Sequence, residues 1–141
     1  MDFVLAPARC RLKWLTACLT QPSFQPYTTA VLTDPNRTRA TEEFVRRLRR
    51  DLPEHIVDLR LFGSEARGQA TPESDIDVLV VVQPDDQRVA LETRVVDIAF
   101  DVNLSFNVFI SPSVVTPAIL NHPVWRETLF IETVLREGIA L

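Results

Sequence analysis

Two acidic residues, Asp75 and Asp77, stand at the beginning of a run of branched aliphatic residues and are separated by one isoleucine. In a β-strand, residues at positions i and i+2 project from the same face, with their Cα atoms about 7 Å apart. Two carboxylates at that spacing can share a divalent cation, and proteins commonly hold magnesium with one or two carboxylates plus substrate phosphates. The pair therefore predicts a Mg²⁺ site that a bound nucleoside triphosphate completes.

A possible phosphate-binding turn precedes this pair. Gly63 and Ser64 follow an apolar run, and Glu65, Ala66 and Arg67 come directly after them. A glycine lets the backbone approach a ligand closely, and Ser64 is expected to cap a short helical turn. Backbone N–H groups at the start of the turn, the Ser64 hydroxyl and the Arg67 guanidinium would all attract a phosphate. We predict that Gly63, Ser64 and Arg67 bind the nucleotide.

A purely structural interpretation of the same residues stays open. Gly63 and Ser64 are common in turns, and Asp75 and Asp77 could be ordinary carboxylates at the beginning of a strand. Two acids that lead into an apolar strand are costly unless something pairs with them, which favours a ligand site. Glu65 is interpreted as an acid in the first turn of a helix, where the helix dipole stabilises it.

The apolar pattern predicts the elements that position these residues. Ile56–Phe62 is typical of a strand, and Ile76–Val82 is a continuous run of the kind buried on both faces of a sheet. Ahead of them, Thr41 is a plausible N-cap for a helix over about residues 42–51, with arginines in its last turn. The two predicted strands thus flank the candidate site.

Further elements follow the second strand. Between Arg88 and Leu104, apolar residues recur with helical spacing and form one stripe, at Leu91, Val95, Ile98 and Val102. Phe106–Ile110 is predicted as another strand. A helix is predicted over Trp125–Glu137, ending at Gly138, with Trp125, Leu129 and Val134 available for the core. This order of elements favours a small mixed sheet backed by helices.

Length and composition indicate one globular domain of 141 residues, 46% hydrophobic and 24% charged. Before about Pro35 no apolar periodicity is sustained, although Leu12, Leu15 and Leu19 could line a short helix. We therefore expect a poorly defined N-terminal extension over residues 1–38 and one domain over residues 39–141. Cys10 and Cys18 fit neither a disulfide framework nor a zinc site.

The charge is unevenly distributed along the chain. Residues 1–50 contain nine Lys and Arg against four Asp and Glu, whereas residues 51–141 contain six against fifteen. An acidic domain does not favour direct binding to nucleic acid, which depends on many cations. No apolar run has the length of a membrane span, and no signal peptide is evident. We expect a cytoplasmic protein without membrane contact.

The motifs LFGSEARG (residues 61–68) and SDIDVLVVV (residues 74–82) together resemble the signature of the minimal nucleotidyltransferase family in the DNA polymerase β superfamily. The resemblance covers about residues 41–141. It implies an α/β (α+β) palm-like fold that transfers a nucleoside monophosphate, here expected to be AMP from ATP, to a hydroxyl. Gly63 and Ser64 would bind the triphosphate, and Asp75 and Asp77 would be the catalytic carboxylates that bind Mg²⁺.

The superfamily has a third carboxylate on a neighbouring strand, and this chain does not plainly contain it. The predicted strand from Phe106 shows Asn107 and Phe109 on the relevant face. An amide oxygen can bind magnesium, but it brings no negative charge and is a poor base. Asp97 and Asp101 could substitute from the preceding helix, although their spacing is more typical of a solvated face.

Three functions remain open. Small members of this family resemble the antitoxin half of a toxin–antitoxin pair, so the resemblance implies transfer of AMP to a HEPN-type protein partner. Alternatively, the chain is a catalytically degenerate nucleotidyltransferase fold that acts as a nucleotide-binding or partner-binding module, as the missing acid would favour. Transfer to a small molecule such as an aminoglycoside is a third hypothesis, for which we expect an additional substrate-binding domain. The sequence leaves open whether the chain forms an oligomer.

Overall fold

The structure is a computed structural model, and it describes residue 32 and residues 34–141. The elements along the chain are α1 (Pro35–Asp51), β1 (Ile56–Phe62), α2 (Gly63–Ala66), β2 (Ile76–Val82), α3 (Arg88–Phe106), β3 (Ile110–Val115), α4 (Pro117–Asn121), α5 (Pro123–Arg126), α6 (Leu129–Glu137) and β4 (Ile139–Ala140), with a 3₁₀ turn at Asp85–Gln87. Most of the predicted N-terminal extension, with both cysteines and the possible short helix, lies outside the described residues. None of the described helices is long and apolar enough to cross a membrane.

The four strands form one mixed sheet in the order β3-β2-β1-β4. β1 is antiparallel to both β2 and β4, whereas β2 and β3 are parallel. The parallel pair needs a long connection, which α3 provides. The predicted α/β fold with a small mixed sheet is confirmed, and β1 and β2 have the predicted bounds.

Residues alternate along each strand, so the sheet has two faces, and these faces pack against apolar clusters of different size. We call the face that includes Val78 and Val80 the broad face; it packs against apolar residues of α1 and α3 such as Phe44 and Val95. The opposite face, which we call the narrow face, includes Leu79 and packs against a smaller cluster from α4 and α6. By the same alternation, Asp77 lies on the narrow face.

Helix α3 follows the predicted stripe. Leu91, Val95 and Val102 are buried, and Ile98 is partly buried against the same core. Asp97 and Asp101 are exposed on this helix. Because α3 covers the broad face, these two acids lie on the far side of the sheet from Asp77.

Helix α1 begins earlier than predicted. Its N-cap is Asp34, whose carboxylate accepts a hydrogen bond of 2.7 Å from the backbone N–H of Asn36, and Pro35 occupies the first turn. Thr41 is buried inside the helix and donates its hydroxyl to the carbonyl of Arg37 at 2.9 Å. The prediction of Thr41 as N-cap was wrong, since the Asp-Pro pair is the stronger start signal.

The predicted strand at Phe106–Ile110 was also wrong. Helix α3 continues to Phe106 and ends at Asn107, which adopts a left-handed conformation with φ 51°. Asparagine tolerates that conformation better than most residues. The side chain of Asn103 then bonds the backbone of Ile110, accepting from its N–H at 2.7 Å and donating to its carbonyl at 3.2 Å, which fixes the beginning of β3.

The C-terminal helix is interrupted. Instead of one helix over residues 125–137, the chain forms α5 and then α6, which Thr128 caps by accepting from the backbone N–H of Ile131. Ile131 and Val134 enter the narrow-face core, but Trp125 and Leu129 are 54% and 82% exposed. The prediction of core positions was therefore right for Val134 and wrong for Trp125 and Leu129.

Candidate functional site

The end of β1 and the beginning of β2 lie side by side. Phe62 pairs with Asp77 in the antiparallel register, so Gly63 follows directly beside the Asp77 carboxylate. Gly63 has φ 71°, and a Cβ added there would lie 2.3 Å from Oδ2 of Asp77. Both the left-handed backbone and the close approach require glycine. The fold thus brings the predicted phosphate turn into contact with the predicted metal-binding acid.

The two acids differ in environment. Asp75 is exposed immediately before β2, whereas Asp77 is half-buried within it. Burial raises the pKa of Asp77, the negative charge of Asp75 raises it further, and Arg67 acts in the opposite direction. The two carboxylates therefore repel each other across a short distance, and a cation between them would relieve that repulsion.

This donor set fits magnesium. Within residues 34–141, no third acid, histidine or cysteine joins Asp75 and Asp77 to form a group of three potential metal ligands. Magnesium tolerates so small a protein contribution, because it usually keeps several waters and takes further oxygens from substrate phosphates. The sequence prediction that these two aspartates bind Mg²⁺ stays a prediction with which the geometry is compatible.

The neighbouring strand presents a hydroxyl, and not an acid, beside Asp77. In the parallel register, Ser111 pairs with Asp77. Residues paired in this way share one face, on strands about 4.8 Å apart. The residue beside Asp77 on the neighbouring strand is therefore Ser111, whereas Asn107 ends α3. Asp97 and Asp101 are excluded from this position, since α3 covers the opposite face, and their interpretation as solvated acids is confirmed.

The phosphate turn is built from backbone. The cap position of α2 is Phe62, which makes no capping hydrogen bond with its side chain, and Ser64 lies inside the turn. The expectation that Ser64 caps the turn was therefore wrong. The carbonyl of Gly63 accepts from the N–H of Arg67 at 3.2 Å, and that of Ser64 accepts from Gln69 at 2.9 Å. The first N–H groups of such a turn have no partner within it.

Arg67 stands between this turn and the C-terminal part of the chain. Its guanidinium forms a 3.3 Å ion pair with Glu137 and donates to the side chain of Gln69 at 3.3 Å. Hydrogen bonds from Arg136 and then Arg67 hold the pKa of Glu137 below its ordinary value. The positive charge of Arg67 lowers the pKa of Asp77, against the effects of burial and of Asp75. The prediction that Arg67 binds the nucleotide stays a prediction.

Sequence reasoning missed one buried ion pair in the site. Glu65 lies in the first turn as predicted, but it is only 2% exposed and accepts a short hydrogen bond from Nε of Arg37. Arg37 is buried too, and its Nη2 donates to the carbonyl of Ser74 at 2.8 Å. The Asp34-Pro35 pair could have placed Arg37 in the first turn of α1, but no signal in the sequence indicates that it pairs with Glu65.

Helix α6 closes one side of the site. The Phe130 ring packs edge-on against Phe62 with the ring centroids 5.5 Å apart and the planes at 83°. Phe62 immediately precedes Gly63, so this contact supports the turn from the narrow face. Phe130 itself remains 42% exposed.

Comparison with known proteins gives consistent matches. Residues 41–136 match the model of a family described as nucleotidyltransferase domain. A curated protein of Methanocaldococcus jannaschii, named "Putative protein adenylyltransferase", is 35% identical over 107 residues, which cover 75% of this chain and 98% of that protein. A second protein of that name and organism is 29% identical over 101 residues, covering 69% of this chain and 94% of the relative. A third is 31% identical over 77 residues, covering 54% and 52%.

Proposed function

Because this chain belongs to the nucleotidyltransferase domain family and has the pattern of its minimal members, we propose that it transfers AMP from ATP to a hydroxyl group of a partner protein. One observation carries the proposal. The Gly63 backbone lies directly against the Asp77 carboxylate, so the predicted phosphate-binding and metal-binding groups meet at one end of the two central strands. The names of two M. jannaschii relatives, which describe protein adenylyltransferases, support a protein as the acceptor.

Each site residue has a distinct role in this proposal. Asp75 and Asp77 would hold Mg²⁺, which would supply charge neutralisation at the phosphates of ATP. The backbone and hydroxyl at Gly63 and Ser64 would bind the triphosphate, and Arg67 would contribute a positive charge. Glycine at position 63 leaves room for phosphate oxygens to approach the backbone.

The reaction is a single substitution at phosphorus. The acceptor oxygen forms a bond to the α-phosphorus, the bond from that phosphorus to the oxygen bridging to the β-phosphate breaks, and pyrophosphate leaves. The acceptor proton passes to solvent, since Ser111 beside Asp77 is a poor base. Catalysis in this arrangement comes mostly from positioning and charge stabilisation.

The proposed acceptor is a HEPN-type protein encoded beside this chain, with the two proteins forming a toxin–antitoxin pair in the cytoplasm. The resemblance of the LFGSEARG and SDIDVLVVV motifs to small family members supports this partner. The acidic net charge of residues 51–141 also favours a protein over a nucleic acid as the acceptor.

A second function is a nucleotide-binding or partner-binding module without transferase activity. One specific observation favours it: the strand neighbour of Asp77 is Ser111, which brings no charge to the third ligand position. A site with two carboxylates would still bind magnesium and a triphosphate, but it would stabilise the attacking oxygen less well.

The experiment that separates these functions is label transfer from ATP labelled at the α-phosphate, with Mg²⁺ and the purified HEPN-type protein. We expect label on the partner with the wild-type protein and with Asp101→Asn, a control acid on the opposite side of the sheet, but not with Asp75→Asn. Calorimetric titration with a non-hydrolysable ATP analogue and Mg²⁺ is run in parallel. Nucleotide binding without transfer would favour the nucleotide-binding module, and absence of nucleotide binding would contradict both the transferase and the nucleotide-binding module, leaving only a partner-binding module.

A further inference from the structure

The buried ion pair between Arg37 and Glu65 connects the two halves of the candidate site. Glu65 follows Ser64 in the phosphate turn, and Ser74, whose carbonyl accepts from Arg37 at 2.8 Å, directly precedes Asp75. The guanidinium of Arg37 therefore bonds the turn and the loop before β2 at the same time. Both partners are almost completely buried, with Arg37 6% and Glu65 2% exposed.

This arrangement is poorly suited to stabilising the fold. Taking two charges out of water costs about as much as their attraction returns, so a buried pair is often no more stable than apolar residues of similar size. Arg37 also lies in the first turn of α1, where the helix dipole disfavours a cation, and that turn contains no acid. What the planar guanidinium adds is directional bonding to two partners at once.

On this basis, and resting on the function proposed above, we propose that Arg37 is a positioning residue for nucleotidyl transfer. It does not contact the substrate. By bonding Glu65 and the Ser74 carbonyl it sets the distance and orientation between the phosphate turn and the Asp75–Asp77 pair. In-line transfer at the α-phosphate depends on this distance and orientation, because in the proposed function the phosphate turn binds the triphosphate and the Asp75–Asp77 pair binds the metal.

The informative variant replaces both charges. Arg37→Ala alone would leave Glu65 buried and unpaired, and such a protein is expected to unfold. The double variant Arg37→Met with Glu65→Leu keeps volume without charge, so the melting temperature should stay near that of wild type. We expect kcat for AMP transfer to fall about 100-fold, as for misplacement of reacting groups by about 1 Å, with a smaller change in KM for ATP.

Two further variants give matched comparisons. Arg37→Lys keeps the charge but not the planar fork, so it should restore the pairing with Glu65 in part and recover part of kcat. Glu43→Leu with Arg47→Met removes an ion pair from the same helix, away from the site, and should leave kcat unchanged. A folded Arg37→Met, Glu65→Leu protein with wild-type kcat would overturn the proposal.

Amide hydrogen exchange gives a readout that does not depend on transferase activity. In the double variant we expect faster exchange at residues 63–69 and 74–75, with β2 residues 78–82 still protected as in wild type. If the wild-type protein shows no transfer, the proposed function fails while this measurement still decides the positioning role. Unchanged exchange at both loops would overturn it.

Discussion

The two faces of β2 differ in their roles, because one is buried in the core and the other begins with the acid that is predicted to bind metal. On the broad face Ile76, Val78 and Val80 are 0% exposed and pack against two long helices. On the narrow face the same strand begins with the half-buried Asp77 and continues with Leu79 under a smaller cluster. Burial of apolar area therefore stabilises the fold mainly through the broad face, at about 25 cal/mol per Å².

The end of the narrow face has a different energetic character. Asp77 is partly removed from water near a second carboxylate, and its pKa is raised for that reason. Gly63 beside it has a backbone conformation that few other residues adopt. The groups that a ligand could neutralise or bond are therefore concentrated at one end of the central strands. The core on the other side of the sheet holds them in place.

The largest expected effect tests the broad face. Phe44→Ala removes a fully buried ring from α1 and should lower the free energy of unfolding by about 3–5 kcal/mol, a large share of the stability of a small domain. Phe130→Ala on the narrow face is the matched control, expected to cost only about 1 kcal/mol because that ring is 42% exposed. Urea denaturation measures both. Equal costs would break the comparison between the faces.

Substitution of glycine tests the narrow face. Gly63→Ala places a Cβ 2.3 Å from Asp77 Oδ2 in a left-handed backbone, so it should cost more than about 2 kcal/mol and abolish binding of ATP with Mg²⁺. Gly68→Ala has the same kind of backbone, with φ 67°, but nothing lies within 4 Å of its Cβ. It should cost about 1 kcal/mol and leave binding intact. Calorimetric titration that finds full binding by Gly63→Ala would contradict the site.

Most of the geometry of the candidate site could be predicted from the sequence because its signals are local. The bounds of β1 and β2 agree with two apolar runs, and Gly63 and Asp77 are read from the residues that end and begin those runs. The pairing of Phe62 with Asp77 then needs only an antiparallel hairpin. The local sequence pattern and the tertiary structure agree here, so neighbouring residues alone indicate where each strand begins and ends.

The errors occurred where distant contacts or weak signals decide. Arg37 and Glu65 are 28 residues apart, and nothing local separates a buried arginine from a solvated one. β3 contains Pro112, which is tolerated because β3 is an edge strand of the sheet. The apolar residues just before β3 have a pattern that also predicts a strand, and the predicted strand was placed there. Asn107 looked like a ligand but is the left-handed end of α3.

A smaller effect tests the cost of the charge that Asp77 places on the narrow face of β2. Asp77→Asn should abolish Mg²⁺-dependent nucleotide binding and yet raise the melting temperature at pH 7 by a few degrees. The pKa of Asp77 is higher in the folded state than in the unfolded chain, so the unfolded chain releases the Asp77 proton at a lower pH. Ionisation of Asp77 therefore lowers the stability of the fold as pH rises above about 4. At pH 3 the wild-type and variant melting temperatures should therefore converge. A lower melting temperature for the variant at pH 7 would contradict this account.

The smallest expected effect lies on the solvent side of α1. Hydrogen bonds from Arg46 and then Arg47 lower the pKa of Glu43 to about 2. A lowered pKa means that the ion pairs stabilise the fold above the ordinary pKa of 4.5, and that this contribution is lost as pH falls toward 2. Because Arg46 is largely exposed, Glu43→Gln should cost only about 0.5 kcal/mol at pH 7. Urea denaturation at pH 7 and in 1 M salt measures it, and a cost that salt does not reduce would show that Glu43 acts through packing and not through charge.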